Sequence, residues 1–280
     1  MKTLRLLSLA LLLSAACSTV PLTGRSQVVL ISDAEMARTA AQQRAQYLAA
    51  IDARGGIVKP GMNASADRLL PIIDKVVNRL IEAAGVRARA NWKVVVLNVR
   101  DTHGLIVNAN VSADGTVAVY TGILPVAKSE AGLAAVLGHE LAHVVARHQA
   151  ERQSQQGLAQ LGLAALAAGS EVAAPGTGKA AGQLGGAAIQ YGVLLPYSRT
   201  HESEADNIGL YFMAKAGYDP AEAVAFWERM RAAVGPSPPQ WMSTHPSPET
   251  RIADLQKWVP DARRYYLDPS LPLPTSLAEK

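Results

Sequence analysis

Ser129-Glu130-Ala131-Gly132-Leu133-Ala134-Ala135-Val136-Leu137-Gly138-His139-Glu140-Leu141-Ala142-His143-Val144-Val145 is the stretch on which the reading of this chain turns. Its composition predicts a helix, and it contains H-E-x-x-H at residues 139–143. Residues four apart on a helix differ by about 40° in azimuth, so both imidazoles project from one face and can grip a single ion. Zinc accepts neutral imidazole nitrogens at about 2.0–2.1 Å in tetrahedral geometry. Glu140, next to the first histidine, can take a proton from a water whose pKa the metal lowers toward about 7. The apolar flanks Ala135, Val136, Leu141, Ala142, Val144 and Val145 predict a buried helix, in which two histidines and a glutamate need compensating partners. His148 follows His143 by five residues, about 140° away on a continuous helix, and is read as a surface or structural residue.

A third protein ligand must come from another element. Ala146 and Gln149 stand where a metzincin would need Gly and His. Downstream, Ser198-Arg199-Thr200-His201-Glu202-Ser203-Glu204-Ala205-Asp206 offers Glu202 and Asp206 at i and i+4 on one helical face. That spacing lets one carboxylate bind metal while the other accepts a hydrogen bond from a ligand histidine. Spacing alone does not choose Glu202 over His201 or Glu204.

Outward from these two segments, residues 33–52 are Ala- and Gln-rich and predict a helix. Leu69, Ile72, Ile73, Val76, Val77, Leu80 and Ile81 predict an amphipathic helix ending at Gly85, with Pro71 in or near its first turn. Runs at 92–99 and 116–121, with 105–111 between them and Asp114-Gly115 as a hairpin signal, predict a small sheet. Residues 157–195 are rich in Gly and Ala and read first as two closely packed helices, with a mobile flap or a lipid-touching surface as alternatives. The chain of 280 residues is 49% hydrophobic and 18% charged, which excludes global disorder. Only 5% of it is aromatic, so aliphatic side chains must fill most of the interior. The net charge of +4 falls to +2 without Lys2 and Arg5, and the basic residues are dispersed, which argues against a nucleic-acid partner.

Lys2 and Arg5, the apolar run 6–13 and the small residues Ser14, Ala15 and Ala16 before Cys17 read as a secretory signal peptide. Cys17 is the sole cysteine and sits where a lipobox places its lipidated residue, although Ser14 replaces the usual aliphatic. The expected organisation is a signal peptide at 1–16, a lipidated tether at 17–32, a catalytic domain at 33–268 and a Pro-rich tail at 269–280.

The H-E-x-x-H helix followed by S-R-x-x-E-x-x-A-D resembles the zinc metallopeptidases related to the HtpX heat-shock protease and the CAAX prenyl endopeptidase, most of all a branch of small periplasmic lipoproteins. The resemblance extends to Pro21-Leu22-Thr23-Gly24-Arg25, Thr121-Gly122-Ile123-Leu124, Ala216-Gly217-Tyr218-Asp219-Pro220 and Ser243-Thr244-His245-Pro246-Ser247 with Arg251-Ile252. It implies a mainly helical α+β, zincin-like (gluzincin) fold with one Zn2+ per chain bound by His139, His143 and Glu202. It further implies Glu140 as general base, Asp206 orienting His139, and His245 and Arg251 approaching the site to stabilise an oxyanion. By itself His245 has two chemical options, donating to an oxyanion or occupying the open metal position and holding the site latent. The run 116–120 is expected either to bind extended substrate as a sheet edge or to be an ordinary buried strand. The resemblance implies hydrolysis of unfolded or misassembled envelope proteins at the periplasmic face of the bacterial outer membrane, with the chain held by lipid on Cys17. A chaperone or assembly factor with a structural zinc is the alternative, and an inner-membrane protease with an uncleaved leader is a further one.

Overall fold

The computed structural model describes residues 17–190, 194–233, 241, 242, 245 and 250–274, so the expected signal peptide at 1–16 lies outside the described residues. Helices dominate: α1 Asp33–Asp52, α2 Ala64–Ala83, the short α3 Leu124–Ala127, α4 Glu130–Val145, α5 His148–Ala173, α6 Gly178–Ile189, α7 Leu195–Lys215, α8 Ala221–Ala232 and α9 Arg251–Leu267. The strands are β1 Cys17–Thr19, β2 Ser26–Val28, β3 Ile57–Val58, β4 Lys93–Leu97, β5 Arg100–Asp101, β6 Gly104–Leu105, β7 Ala109–Val111 and β8 Thr116–Tyr120. This is the mainly helical α+β architecture expected, with one small sheet beside the H-E-x-x-H helix.

Helix α2 is capped by Asn63, whose side chain accepts from the amides of Ser65 and Ala66, six residues before the first periodic leucine. Pro71 is therefore inside the helix, not in its first turn, and the helix tolerates it on an exposed face. The end is where the periodicity puts it: Gly85 takes φ +67°, its N–H bonding Glu82 O while Val86 N–H bonds Ile81 O. The buried face of α2 carries Ile73, Val76, Val77, Leu80 and Ile81, each at most 4% exposed. Burial of such side chains stabilises by about 1.5–3 kcal/mol apiece, which fixes α2 against α4 and α7.

The main sheet has the order β3-β4-β8-β7. Parallel pairing runs from Lys93↔Thr116 to Leu97↔Tyr120, and β7 lies antiparallel on the other side of β8, Ala109↔Val119 to Val111↔Val117. All five residues of β8 are buried. Of the two expectations for 116–120, the buried strand holds and the sheet edge does not: β8 is an inner strand with partners on both sides, and β3 and β7 are the edges.

The segment expected as a polar tether is instead folded. Strands β1 and β2 pair antiparallel, Val20 joins the main core at 1% exposure, and Gln27 is buried at 3%. Within 157–195, the described residues to 189 form most of the hairpin of α5 and α6, whose helices come close at Gly185, where a Cβ would lie 2.8 Å from Leu166 Cδ2.

Candidate active site

The central feature is the crossing of α4 and α7. Twelve of the sixteen residues of α4 are buried, and its N-terminus is capped by Ser129 Oγ accepting from Gly132 N–H. The helices meet backbone to backbone at Gly138 and Gly209: a Cβ on Gly138 would lie 3.0 Å from Gly209 O, and one on Gly209 would lie 2.9 Å from His139 N. Glycine at both positions lets the axes approach closely, which brings the residues flanking Gly138 against the turns of α7 before Gly209.

Four donor atoms meet there, from His139, His143, Glu202 and His245, all within 4.8 Å of one another. His139 Nε2 is 3.0 Å from His143 Nε2, 3.4 Å from Glu202 Oε2 and 3.3 Å from His245 Nδ1. His143 Nε2 is 3.5 Å from Glu202 Oε1, and His245 Nδ1 is 3.1 Å from Glu202 Oε2. A tetrahedral ion with bonds of about 2.0–2.1 Å needs donors about 3.3 Å apart along each edge. The donor set therefore fits a zinc ion in both chemistry and spacing. Glu140, 4% exposed, stands beside this cluster; its Oε1 accepts from Trp241 Nε1 at 2.8 Å and lies 3.3 Å from His245 Nε2. Trp241 stacks on the His245 ring at 4.2 Å and 16°.

Behind these donor atoms lies a buried clamp. Asp206 Oδ1 accepts from His139 Nδ1 at 2.8 Å. Arg251 holds Asp206 through Nε at 2.5 Å and Nη2 at 2.9 Å, reaches Glu202 Oε2 at 3.3 Å, and stacks 3.6 Å over Trp227. Arg251 is 2% exposed and its Nη1 is buried as well. Arg251, expected to approach the site and stabilise an oxyanion, does approach it, on the far side of Glu202, where its guanidinium adds to the histidine pairings of two buried acids.

The electrostatics of the metal-free chain follow from burial and these pairings. Burial opposes the charged form of His139, but the bonds to Asp206 and Glu202 outweigh it and carry its pKa up to about 9. Burial, together with the neighbouring histidines, holds His143 well below its ordinary value, against the pull of Glu202. Glu202 is disfavoured as an anion by burial, yet the bond from His139, the nearby His143 and the bond from His245 together hold it well below the carboxylate range.

Sequence reasoning placed His148 outside this region, and the structure does not. Helix α4 ends at Val145, Arg147 takes φ +60°, and α5 starts at His148, so the helical arithmetic from His143 does not carry across the break. His148 is 1% exposed, with Nδ1 2.8 Å from His143 Nδ1 and Nε2 2.9 Å from Glu204 Oε2. Burial, partly offset by Glu204, brings its pKa down to about 4. His201 and Glu204, left open beside Glu202 as third-ligand candidates, face this second network: His201 stacks on His148 at 4.3 Å and its Nε2 is 2.9 Å from Glu151 Oε2. The His-x4-His spacing of 143 and 148 was the signal available; the helix break hid it.

The mainly helical fold and the His/Glu donor set at the crossing of α4 and α7 together have gluzincin-like architecture. The chain belongs to peptidase family M48, which residues 70–259 match, and M48 metallopeptidases use zinc. It is 38% identical over 214 residues to the mitochondrial metalloendopeptidase OMA1 of Schizosaccharomyces pombe, covering 73% of this chain and 59% of that protein. It is 32% identical over 254 residues to the mitochondrial metalloendopeptidase OMA1 of Bos taurus (86% and 46%). Against the putative beta-barrel assembly-enhancing protease of Vibrio cholerae it is 35% identical over 206 residues (70% and 41%). The chain spans about half the length of the curated relatives it matches.

Proposed function

We propose that this chain hydrolyses peptide bonds in unfolded or misassembled envelope proteins, with one zinc held by His139, His143 and Glu202. The observation that carries the reading is the set of donor spacings near 3.3 Å with an acid, Glu140, beside it. Bound there, zinc supplies Lewis-acid polarisation of a carbonyl and lowers the pKa of a water. Glu140 takes the proton of the attacking water and delivers it to the leaving amide nitrogen. Asp206 holds His139 in the tautomer that presents Nε2, and Arg251 fixes Asp206 and Glu202 from behind. His245 Nδ1 would be a fourth donor to the ion and its Nε2 lies 3.3 Å from Glu140 Oε1, so we read this arrangement as latent, with His245 displaced when a client enters. An extended client would pair along β7, one of the two edge strands of the main sheet among the described residues, beside which Trp241 N–H already donates to Val107 O at 3.3 Å.

Export, lipid attachment at Cys17 and residence at the periplasmic face of the outer membrane complete the proposal. They are supported by the leader composition and by the likeness to a protein named for beta-barrel assembly. No helix among the described residues is long and apolar enough to cross a membrane.

The test is degradation of casein by the chain from residue 18 onward, with zinc content measured in parallel. Glu140→Gln is expected to retain zinc and lose about 10²–10⁴-fold in rate, and His245→Ala to raise the rate. Equal cleavage by wild type and Glu140→Gln would overturn the general-base assignment. Zinc bound with no cleavage by wild type or His245→Ala would favour a chaperone with a structural metal.

A further inference from the structure

The second network reaches the metal site from an unexpected direction, the N-terminal turn between β1 and β2. Arg25 Nε and Nη2 lie 3.0 Å and 2.9 Å from Glu204 Oε2, and the Thr23 hydroxyl donates to Glu204 Oε1. The same guanidinium forks onto Glu151, Nη1 to Oε1 at 2.9 Å and Nη2 to Oε2 at 2.7 Å. The turn is itself held in the body by the burial of Val20 and by Val20 N–H donating to Arg25 O at 2.8 Å.

Hydrogen placement along the chain from His143 to Arg25 admits one solution if His143 Nε2 binds metal. His143 must then carry its hydrogen on Nδ1, which points at His148 Nδ1, 2.8 Å away, as the acceptor. His148 is left with its hydrogen on Nε2, which donates to Glu204 Oε2 at 2.9 Å. Read from the other end the answer is the same. A carboxylate pinned by Arg25 and Thr23 can only accept, so it draws the His148 hydrogen to Nε2 and leaves Nδ1 as a lone pair aimed at His143.

We propose that the Thr23–Gly24–Arg25 turn is a positioning element for the metal site, acting through Glu204 and His148 to set the orientation and tautomer of His143. The inference rests on the zinc reading of His139, His143 and Glu202. Outer partners of ligand histidines typically contribute about 10–100-fold in metal affinity.

The experiment is zinc affinity by chelator competition on the full chain. Metal-free melting temperatures and the visible spectrum of the cobalt-substituted protein are recorded alongside. His148→Phe keeps the ring and its stack on His201 but removes both nitrogens, and it is expected to weaken zinc about 10–100-fold and alter the cobalt spectrum. Arg25→Ala is expected to weaken zinc by about tenfold, with Arg25→Lys recovering part of the loss. The double variant His148→Phe/Arg25→Ala is expected to bind no more weakly than His148→Phe, because the arginine acts through the histidine. Unchanged affinity in His148→Phe, or additive losses in the double variant, would overturn the inference while leaving the zinc site intact. His143→Ala separates the two claims: if it binds zinc as tightly as wild type, the zinc reading and the inference both fall.

Discussion

Two arginines stand behind two histidines of one site, and they are built differently. On one side Arg251 grips Asp206, which bonds His139 directly. On the other Arg25 grips Glu204, which reaches His143 only through His148. The Arg251 side chain is 1% exposed and covers Trp227, whereas the Arg25 side chain is 21% exposed on a turn at the rim. The first clamp belongs to the core and cannot open without unpacking it. The second closes the site with a surface element, so its strength is set partly by solvent screening.

The largest test of this contrast is Arg251→Ala. It leaves Asp206 and Glu202 short of their cation, opens a void beneath Trp227, and is expected to cost about 3–5 kcal/mol in urea unfolding of the metal-free chain. Arg25→Ala leaves Glu204 still bonded by Thr23 and His148, and Glu151 by His201, so its cost is expected to be less than half as large. Equal costs for the two variants would show that exposure does not distinguish the clamps.

A second test strikes both sides at once. Gly209→Ala places a methyl group 2.9 Å from the backbone of His139 and forces α4 and α7 apart. Overpacking of this kind costs about 1–3 kcal/mol. Zinc affinity is expected to fall along with stability, because the same crossing sets the separation of His139 and His143 from Glu202. A stable Gly209→Ala with unchanged zinc affinity would mean that the crossing does not control the site.

The contrast also explains what could be read from residues alone. His139, Glu140 and His143 were legible because they lie within one uninterrupted helix, where azimuth follows from spacing. On α7 spacing was ambiguous for a physical reason: the helix is two-faced, with Glu202 and Asp206 turned toward the first clamp and His201 and Glu204 toward the second. His148 was misplaced by a break at Arg147, whose φ of +60° has no signal in its residue type. Arg25 was hidden in a segment whose polar composition reads as a tether, since the burial of Val20 and Gln27 depends on contacts with distant elements. The inner position of β8 likewise depends on a parallel pairing with β4 that alternation of side chains does not encode.

Acid should separate the clamps by a smaller margin. Burial disfavours the Glu151 anion, but the bonds from Arg25 and His201 overcome this and bring its pKa from 4.5 down to about 2. A carboxylate depressed in the folded state stabilises that state fully above its unfolded pKa and ceases to do so as pH falls through the folded value. The Arg25 side is therefore expected to lose stability between about pH 4.5 and pH 2. On the Arg251 side the bond from His139, the nearby His143 and the bond from His245 likewise hold Glu202 well below the usual carboxylate range, against its burial. Urea midpoints of the metal-free chain should fall across this range in wild type, and Glu151→Gln should flatten the fall, with a lower midpoint at neutral pH where the ion pair is lost. An equally steep acid loss in Glu151→Gln would mean that the rim clamp is not what acid opens first, and that the two sides are bound together more tightly than their exposures imply.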